Sequence, residues 1–157
     1  MYFVIFKNYL ESAKHQIIEL SEKWRMGKQG RENEVELKKE SDSIKRIFYF
    51  VDKNLFSICI FHNENLIAYS IVEVLGNCYA LLHFWKADTS FVGIYSYLMR
   101  QNSHILLEQF NIKHLNFEQD LGKESLRASK NEFRPALFLK KYFIASIAGL
   151  QVPTCRS

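Results

Sequence analysis

LNFEQDLG, the sequence of residues 115–122, decides the fold because it supplies a short extended stretch directly after a long amphipathic segment. In an extended chain, side chains alternate between two faces, so Asn116, Glu118 and Asp120 would share one face. These residue types are uncommon in strands, and the glycine that follows favours a turn. The pattern predicts a strand at 115–120 whose polar face belongs to a functional site.

A helix carrying cations is predicted after this strand. The segment 122–134 places Arg127 and Lys130 at helical spacing, and Pro135 stops it. We expect a strand-to-helix junction at which carboxylates, an amide and cations come together. Junctions of this kind are where α/β proteins commonly bind ligands.

A structural explanation of the same residues stays open. Asp120 could cap the helix, Glu118 could pair with Lys113 or Arg127, and the cations could form a solvated stripe. Networks of ion pairs resemble functional sites in their chemistry. The clustering of several such residues in one short stretch favours the functional interpretation.

The strand at 115–120 completes a strand-helix-strand unit. Apolar residues recur every three or four positions over 93–110, which predicts a helix, and Thr89 or Ser90 could cap it. Because this helix separates a strand at 78–86 from the strand at 115–120, the two strands can lie parallel.

The remaining elements predict an α/β protein with an α+β mixed sheet. Turn residues separate short apolar runs into an antiparallel meander that ends at 78–86, and helical periodicity precedes it. The predicted elements outside the strand-helix-strand unit are helices at 10–24 and 37–51 and strands at 55–61, 66–75 and 137–144. The order is two N-terminal helices, an antiparallel meander, then strand-helix-strand-helix-strand.

Length and composition are typical of a single globular domain. The 157 residues, 48% of them hydrophobic, can fill a core without disulfides or a structural metal. We predict one domain over 1–146, with a helical N-terminal part at 1–53, the sheet and cleft at 54–146, and a loose tail at 147–157. The three cysteines have no metal-ligand or disulfide spacing, so no metal is expected.

Charge and hydropathy leave the partner open. A net charge of +4 permits nucleic-acid binding without requiring it. The apolar opening is cut at Lys7, far short of the roughly 18 apolar residues that suggest a membrane span. We therefore expect no membrane span, and the cysteine pattern favours a reducing, cytoplasmic location.

A series of motifs in fixed order points to a family. Residues 79–88, 93–95 and 115–122 are followed by Leu126-Arg127, Lys130, Pro135 and Lys141-Tyr142. The series resembles the GNAT-like family related to the C-terminal domain of phosphatidylglycerol lysyltransferase, and the resemblance covers about 55–144. Two positions depart from the family pattern: Trp85 stands where an acidic residue is usual, and Ser125 where glycine is usual.

The resemblance implies the GNAT fold and a transferase activity. Related enzymes move an aminoacyl group from charged tRNA to an amine or hydroxyl of a lipid or of peptidoglycan. The family has tandem GNAT-like halves, and this chain resembles the second half. The implied function is transfer of an acyl or aminoacyl group to an amine or hydroxyl acceptor, and a homodimer would replace the missing half.

Such a transfer needs a base, since an alkyl amine with a pKa near about 10.4 is mostly protonated at neutral pH. Asp120 and Glu118 are the candidate bases, and Asn116 would donate to the developing oxyanion. The alternative role for Asn116 is a strand-end hydrogen bond. Arg127 and Lys130 would hold phosphate or carboxylate groups of a substrate.

Two residues at the end of the central strand and one in the first turn of the central helix extend the predicted substrate site. Lys86 and Asp88 face the same way, although a simple ion pair between them is the alternative explanation. Tyr95 could protonate a leaving group, or it could belong to the buried stripe of its helix. His83, among apolar and aromatic neighbours, reads as a satisfied core histidine rather than a base.

The loop at 89–94, with Phe91 and Gly93 as candidate cofactor-binding residues, leaves the donor undecided. Acetyl-CoA-dependent GNAT enzymes carry a glycine-rich loop for the pyrophosphate, and this loop has one glycine, although backbone amides at a helix start can still bind an anion. Candidate donors are acyl-CoA and aminoacyl-tRNA, and candidate acceptors are small-molecule, lipid or peptide amines.

Two alternatives stay open. The domain could be a GNAT-like binding or assembly module that has lost catalysis, or an acyl-CoA-dependent N-acyltransferase.

Overall fold

A computed structural model describes residues 2–7, 13–28, 30, 33–49, 54–76, 78–140 and 142. The chain divides into two compact units, residues 1–119 and 120–157. The single domain predicted over 1–146 spans both units, and the tail predicted at 147–157 lies outside the described residues.

The first unit is a five-stranded mixed sheet with three helices. The described strands are β1 (Tyr2–Lys7), β2 (Leu55–His62), β3 (Asn65–Val74), β4 (Tyr79–Ala87) and β5 (His114–Asn116), and the helices are α1 (Lys14–Met26), α2 (Glu34–Ile47) and α3 (Ile94–Phe110). The strand order is β1-β2-β3-β4-β5. Neighbouring strands are antiparallel, except that β5 is parallel to β4. The predicted mixed sheet and its parallel pair are confirmed.

The first strand was not predicted. Residues 2–7 pair antiparallel with β2, from Tyr2 opposite His62 to Lys7 opposite Ser57. An uninterrupted apolar run gives no alternation by which a strand can be recognised. The N-terminal part at 1–53, predicted to be helical, therefore also contributes a strand to the sheet.

The two helical faces of the sheet have separate cores. On one face, Ile17 of α1 and Ile44 of α2 pack with Tyr69 and Ile71 of β3. On the other face, Leu98 of α3 packs with residues of β2 and β3. These layers explain why all three helices show a periodic apolar stripe in the sequence.

A buried polar contact fixes α3 on the sheet. The hydroxyl of Ser70 donates to the side-chain oxygen of Asn102 at 2.6 Å, and the amide of Asn102 donates to the Leu98 carbonyl at 2.9 Å. Both side chains are fully buried. Because a buried polar group without a partner costs free energy, this pairing favours one position of α3 along β3.

A bulge interrupts β4. Val72 lies opposite Leu82 and Ile71 lies opposite Phe84, so His83 has no residue opposite it in β3. Regular alternation would place His83 and Phe84 on opposite faces, whereas a bulge lets consecutive residues face the same side. Phe84 packs with the core that contains Ile71, and His83 is left to make polar contacts.

The strand predicted at 115–120 is shorter than expected. β5 ends at Asn116, and Glu118 has a positive φ of 56°. A left-handed residue ends the extended conformation. The predicted alternation of Asn116, Glu118 and Asp120 on one face of a strand is therefore wrong.

The start of α3 also differs from the prediction. Gly93, rather than Thr89 or Ser90, is the N-cap residue, with a left-handed φ of 76° and no capping side chain. Glycine suits this position because it adopts positive φ without steric cost.

The second unit contains helix α4 (Glu124–Asn131), which lies within the helix predicted over 122–134. The last strand, predicted at 137–144, is wrong for its described residues: 137–140 and Tyr142 are not in a strand. The side chains of Leu137, Phe138 and Leu139 are exposed there. Residues 141, 143 and 144 lie outside the described residues.

Candidate functional site

The segment after β5 forms a tight turn that carries Glu118. The side-chain oxygen of Asn116 accepts a hydrogen bond from the backbone N–H of Glu118 at 2.8 Å. Asparagine favours such turns because its side chain bonds to the backbone two residues later. Asn116 therefore has the structural hydrogen bond named as its alternative, and this bond fixes the backbone that holds Glu118.

Glu73, His83 and Glu118 form a hydrogen-bonded row across β3, β4 and the segment after β5. Nε2 of His83 lies 2.8 Å from a carboxylate oxygen of Glu73. Nδ1 of His83 lies 2.9 Å from a carboxylate oxygen of Glu118. The three side chains are 29%, 25% and 42% exposed in chain order, so the row is partly buried and opens to solvent at Glu118. We call it the Glu73–His83–Glu118 row.

The row favours a charged histidine. The hydrogen bond to Glu118 raises the pKa of His83 above the ordinary value of 6.5, the bond to Glu73 adds to the effect, and partial burial opposes it. His83 is therefore not the satisfied core histidine predicted from its apolar neighbours. The local sequence around His83 does not reveal these contacts, because the two carboxylates come from β3 and from the segment after β5.

The row lies where β4 and β5 separate. Their pairing covers only Tyr79–Leu81 against His114–Asn116, while β4 continues to Ala87. On the continuing part of β4, the Trp85 ring contacts the Phe117 ring with centroids 5.8 Å apart. Phe117 and Glu118 thus both contact β4 beyond the end of the parallel pairing.

Lys86, predicted to bind substrate, is buried between the sheet and the first two helices. Its Nζ lies 3.4 Å from the centroid of the Trp24 ring of α1 and 2.8 Å from a carboxylate oxygen of Glu40 of α2. A desolvated ammonium over an aromatic ring gains about 2 kcal/mol. The structure thus gives Lys86 a role in joining α1, α2 and β4.

Asp88 has its own set of partners. Its carboxylate pairs with Lys23 at 2.5 Å and accepts bonds from the backbone N–H and the hydroxyl of Ser90. The bonds from Lys23 and then Ser90 lower the pKa of Asp88 to about 2. Lys86 and Asp88, for which a mutual ion pair was the alternative, are therefore bonded to Glu40 and Lys23 respectively.

The start of α3 holds the remaining candidates of the first unit. The Phe91 ring meets the His62 ring edge-on at 5.3 Å. The Tyr95 oxygen accepts a bond from Trp24 Nε1 at 3.2 Å and one from the Ala87 backbone. Burial raises the pKa of Tyr95, so its hydroxyl is protonated at neutral pH.

In the second unit, Asp120 and Arg127 form an ion pair. Nε of Arg127 lies 2.6 Å from one carboxylate oxygen of Asp120, and the other accepts the Gly122 N–H at 2.9 Å. Arg127 first, and then Gly122, lower the pKa of Asp120. Lys130 lies on the same helix and adds a smaller electrostatic effect on Asp120. The pair is exposed, and exposed pairs contribute little to stability.

Within the first unit the predicted site residues form separate groups, and the second unit contains a pair of its own. Glu118 and Asn116 are brought together beside β4, Lys86 and Tyr95 both contact Trp24, and Asp120 pairs with Arg127 in the other unit. The sequence interpretation missed His83 and Glu73, and also Trp24 and Glu40. His83 contacts Glu73, and Trp24 and Glu40 both contact Lys86. Sequence spacing does not reveal these contacts, because the four residues come from four different elements.

A shallow cavity lies elsewhere on the first unit. It has a volume of about 340 Å³ at the C-terminal end of α3, and its lining includes Leu106, Leu107 and Ile112. None of the predicted site residues lines it. Among the described residues, no group of three or more His, Cys, Asp or Glu side chains could hold a metal ion, and none of the described helices has the length and hydropathy of a membrane span.

The sequence matches one family model over most of its length. Residues 4–145 match the model described as phosphatidylglycerol lysyltransferase, C-terminal. No curated protein matches the chain significantly.

Solved structures that share the fold include proteins named as N-acetyltransferases. A ribosomal-protein-alanine N-acetyltransferase from Brucella melitensis biovar Abortus 2308 has a TM-score of 0.64 at 12% identity, covering 93% of this chain and 99% of its own. A PaiA N-acetyltransferase from Thermoplasma acidophilum in complex with coenzyme A has a TM-score of 0.59 at 13% identity, covering 82% and 88%.

A longer protein also shares the fold. A conserved protein of unknown function from Bacteroides thetaiotaomicron VPI-5482 has a TM-score of 0.66 at 20% identity, covering 87% of this chain and 44% of its own. At these identities the likenesses establish the fold alone. The GNAT fold predicted from the order of the elements is confirmed.

Proposed function

The chain belongs to the phosphatidylglycerol lysyltransferase C-terminal family, and from this premise we propose that it transfers an acyl or aminoacyl group to an amine or hydroxyl acceptor. The observation that carries the proposal is the position of Glu118. Its carboxylate is 42% exposed and is held against β4, where β4 and β5 separate. A carboxylate that is both held and open to solvent suits a base.

Glu118 is the base of the proposed reaction. One of its oxygens bonds to His83, and the other is the oxygen that would take a proton from the acceptor. An ammonium acceptor loses one proton before attack and a second as the C–N bond forms and the donor's C–O or C–S bond breaks. One of these two protons ends on the leaving group, and the other reaches solvent.

Two further residues support this assignment. The Asn116 oxygen is engaged by the backbone of Glu118, so its NH₂ group is the part that would donate to the developing oxyanion. The Tyr95 oxygen accepts two bonds, which leaves its proton for a leaving group. Asp120 stays a second candidate base. Arg127 and Lys130 stay candidates for binding phosphate or carboxylate groups of a substrate. Lys86 and Asp88 also stay candidates for substrate binding.

We propose aminoacyl-tRNA as the first donor to test and acyl-CoA as the second. A pyrophosphate needs several backbone N–H groups at the start of a helix. In the loop before α3, the N–H of Ser90 is already bonded to the carboxylate of Asp88. The negative charge of Asp88 would also repel a pyrophosphate bound at this loop. Gly93 and Phe91 stay candidates for contact with a donor. A cytoplasmic location and self-association into a homodimer also stay predictions.

The test is the substitution Glu118→Gln. The glutamine keeps the shape of the side chain and cannot act as a base, so we expect kcat for transfer to fall by about 10²–10⁴-fold, the usual contribution of a general base. The assay measures labelled aminoacyl transfer from charged tRNA, and labelled acetyl transfer from acetyl-CoA, to a panel of amines. Glu108→Gln is the matched control, because Glu108 is an exposed glutamate on α3 that pairs with His104 at 3.2 Å.

Equal kcat values for Glu118→Gln and the unmodified protein would contradict the role of Glu118. A failure of the unmodified protein to transfer from either donor would contradict the transferase proposal and support a non-catalytic binding module.

A further inference from the structure

We propose that Glu73 and His83 are positioning residues that hold the carboxylate of Glu118 in place for the transfer reaction, with His83 acting as a doubly bonded imidazolium between the two acids. The inference rests on the proposed function for the reaction that it serves. Its structural part, the charge state and partners of His83, can be measured without any substrate.

The geometry itself selects the charged form of His83. A neutral imidazole has one N–H donor and one acceptor nitrogen, whereas an imidazolium donates from both nitrogens. Both nitrogens of His83 lie within 2.9 Å of carboxylate oxygens, one from Glu73 and one from Glu118. Ionised carboxylates only accept, so both bonds form together only when His83 is protonated. The raised pKa of His83 is in accord with this arrangement.

The charges around His83 come from two segments. Glu73 faces it from β3, and Glu118 faces it from the segment after β5. On its own strand the charged neighbour is Lys86, which is engaged by Glu40. Two carboxylates and one imidazolium leave the Glu73–His83–Glu118 row with a net charge of −1, which favours approach of a cationic acceptor amine to Glu118.

Glu118 needs such support to serve as a base. It lies outside regular structure, in a left-handed conformation at φ 56°, and its side chain is 42% exposed. A long carboxylate in that setting samples many rotamers, and a reacting group that must first be ordered reacts more slowly. The bond to His83 restricts Glu118, and the bond to Glu73 restricts the ring of His83 in turn.

A second histidine–glutamate pair shows what an unsupported contact looks like. His104 and Glu108 lie one turn apart on α3 at 3.2 Å, and their side chains are 61% and 60% exposed. The pair lies on one helix and ties no separate segments together. The row instead joins β3, β4 and the segment after β5.

The test combines NMR titration of the histidine ring with pH profiles of kcat. The variant is Glu73→Gln, which removes one charge from the row without touching Glu118. We expect the titration midpoint of His83 to fall in this variant, because one of its two carboxylate partners is neutral. We expect the alkaline limb of the kcat profile to move to lower pH by the same amount, with KM little changed.

Controls separate positioning from general stability. Glu108→Gln should leave both the His83 midpoint and the kcat profile unchanged. His83→Gln keeps a donor for Glu118 but cannot titrate, so it should retain part of kcat while the alkaline limb attributed to His83 disappears. Unchanged amide spectra would show that each variant is folded.

The outcomes distinguish the two proposals. If the His83 midpoint stays the same in Glu73→Gln, the row is not formed in solution and the inference is overturned, whatever the activity. If the midpoint falls and the kcat profile does not move, the row is only structural and the inference is also overturned. Absence of transfer by every protein, with the midpoint shift present, would instead overturn the proposed function.

Discussion

Ser57 and Ser70 are two fully buried serines on neighbouring strands that differ in what their hydroxyl groups contact. The hydroxyl of Ser70 bonds to Asn102. The buried hydroxyl of Ser57 has no hydrogen-bond partner among the described residues. A buried hydroxyl without a partner carries a desolvation cost that no bond offsets.

Replacing these serines by alanine should therefore change stability in opposite directions. We expect Ser57→Ala to raise the free energy of unfolding by about 1 kcal/mol, and Ser70→Ala to lower it by about 1–3 kcal/mol because Asn102 then loses a partner. Urea unfolding of both variants and the unmodified protein provides the measurement. Destabilisation by Ser57→Ala as large as that by Ser70→Ala would show that Ser57 has a partner in solution.

At the residue scale, the sequence indicated which residues are chemically unusual more reliably than it indicated which residues contact one another. Glu118 and Asn116 were recognised as unusual for a strand, and the structure brings them together beside β4. His83 was predicted to be a core residue because its neighbours in the sequence are apolar and aromatic, whereas its two carboxylate partners come from other segments. Lys86 was predicted to face a cleft, because alternation identifies a face of the strand but not the helices that cover it.

At the element scale, Glu22 joins the first two helices. Its carboxylate accepts a bond from Ser41 of α2 at 2.5 Å and pairs with Lys45 of α2 at 2.8 Å. Within α1 it also pairs with Arg25 at 2.7 Å. Lys45 first, then Ser41 and Arg25, lower the pKa of Glu22 from 4.5 to about 2.

The lowered pKa predicts how stability depends on acid. A carboxyl whose pKa is lower in the folded state stabilises that state above its unfolded pKa, and the contribution is lost as the pH falls through the folded pKa. We expect Glu22→Gln to cost about 1–2 kcal/mol at pH 7, a figure reduced because water partly screens the group. The difference should shrink as the pH falls from 4.5 towards 2.

Thermal unfolding across this pH range measures the effect, with Glu19→Gln on the exposed side of the same helix as the control. A difference between Glu22→Gln and the unmodified protein that stays constant down to pH 2 would contradict the assigned cause.

The elements themselves were largely predictable. Periodicity identified α1, α2 and α3, and turn residues identified β2, β3 and β4, with ends within a few residues of those observed. The predictions failed where a single backbone conformation decides the outcome. Glu118 ends β5 early through its positive φ, and Gly93 rather than a hydroxyl side chain begins α3.

At the scale of the whole molecule, binding of the donor should raise thermal stability. A ligand that binds only the folded state adds about 2.7 kcal/mol at one hundred times its Kd, which for a chain of this length corresponds to several degrees in Tm. We expect this increase with charged tRNA and a smaller one with acetyl-CoA, because the loop before α3 has one of its N–H groups bonded to Asp88.

Salt provides the control for this measurement. Binding through phosphate contacts weakens steeply as the salt concentration rises, so the Tm increase with tRNA should fall between 50 and 200 mM salt. A larger increase with acetyl-CoA, insensitive to salt, would instead favour the acyl-CoA-dependent alternative.

The short parallel pairing of β5 with β4 has a consequence for motion. Three residue pairs join β5 to β4, whereas eight join β2 to β3. Local opening of a protein costs least where the fewest bonds must break. We therefore expect β5 to open at a lower free energy than the central strands among those described. A bulky substrate would then require movement of β5 only, while the strands of the core keep their pairing.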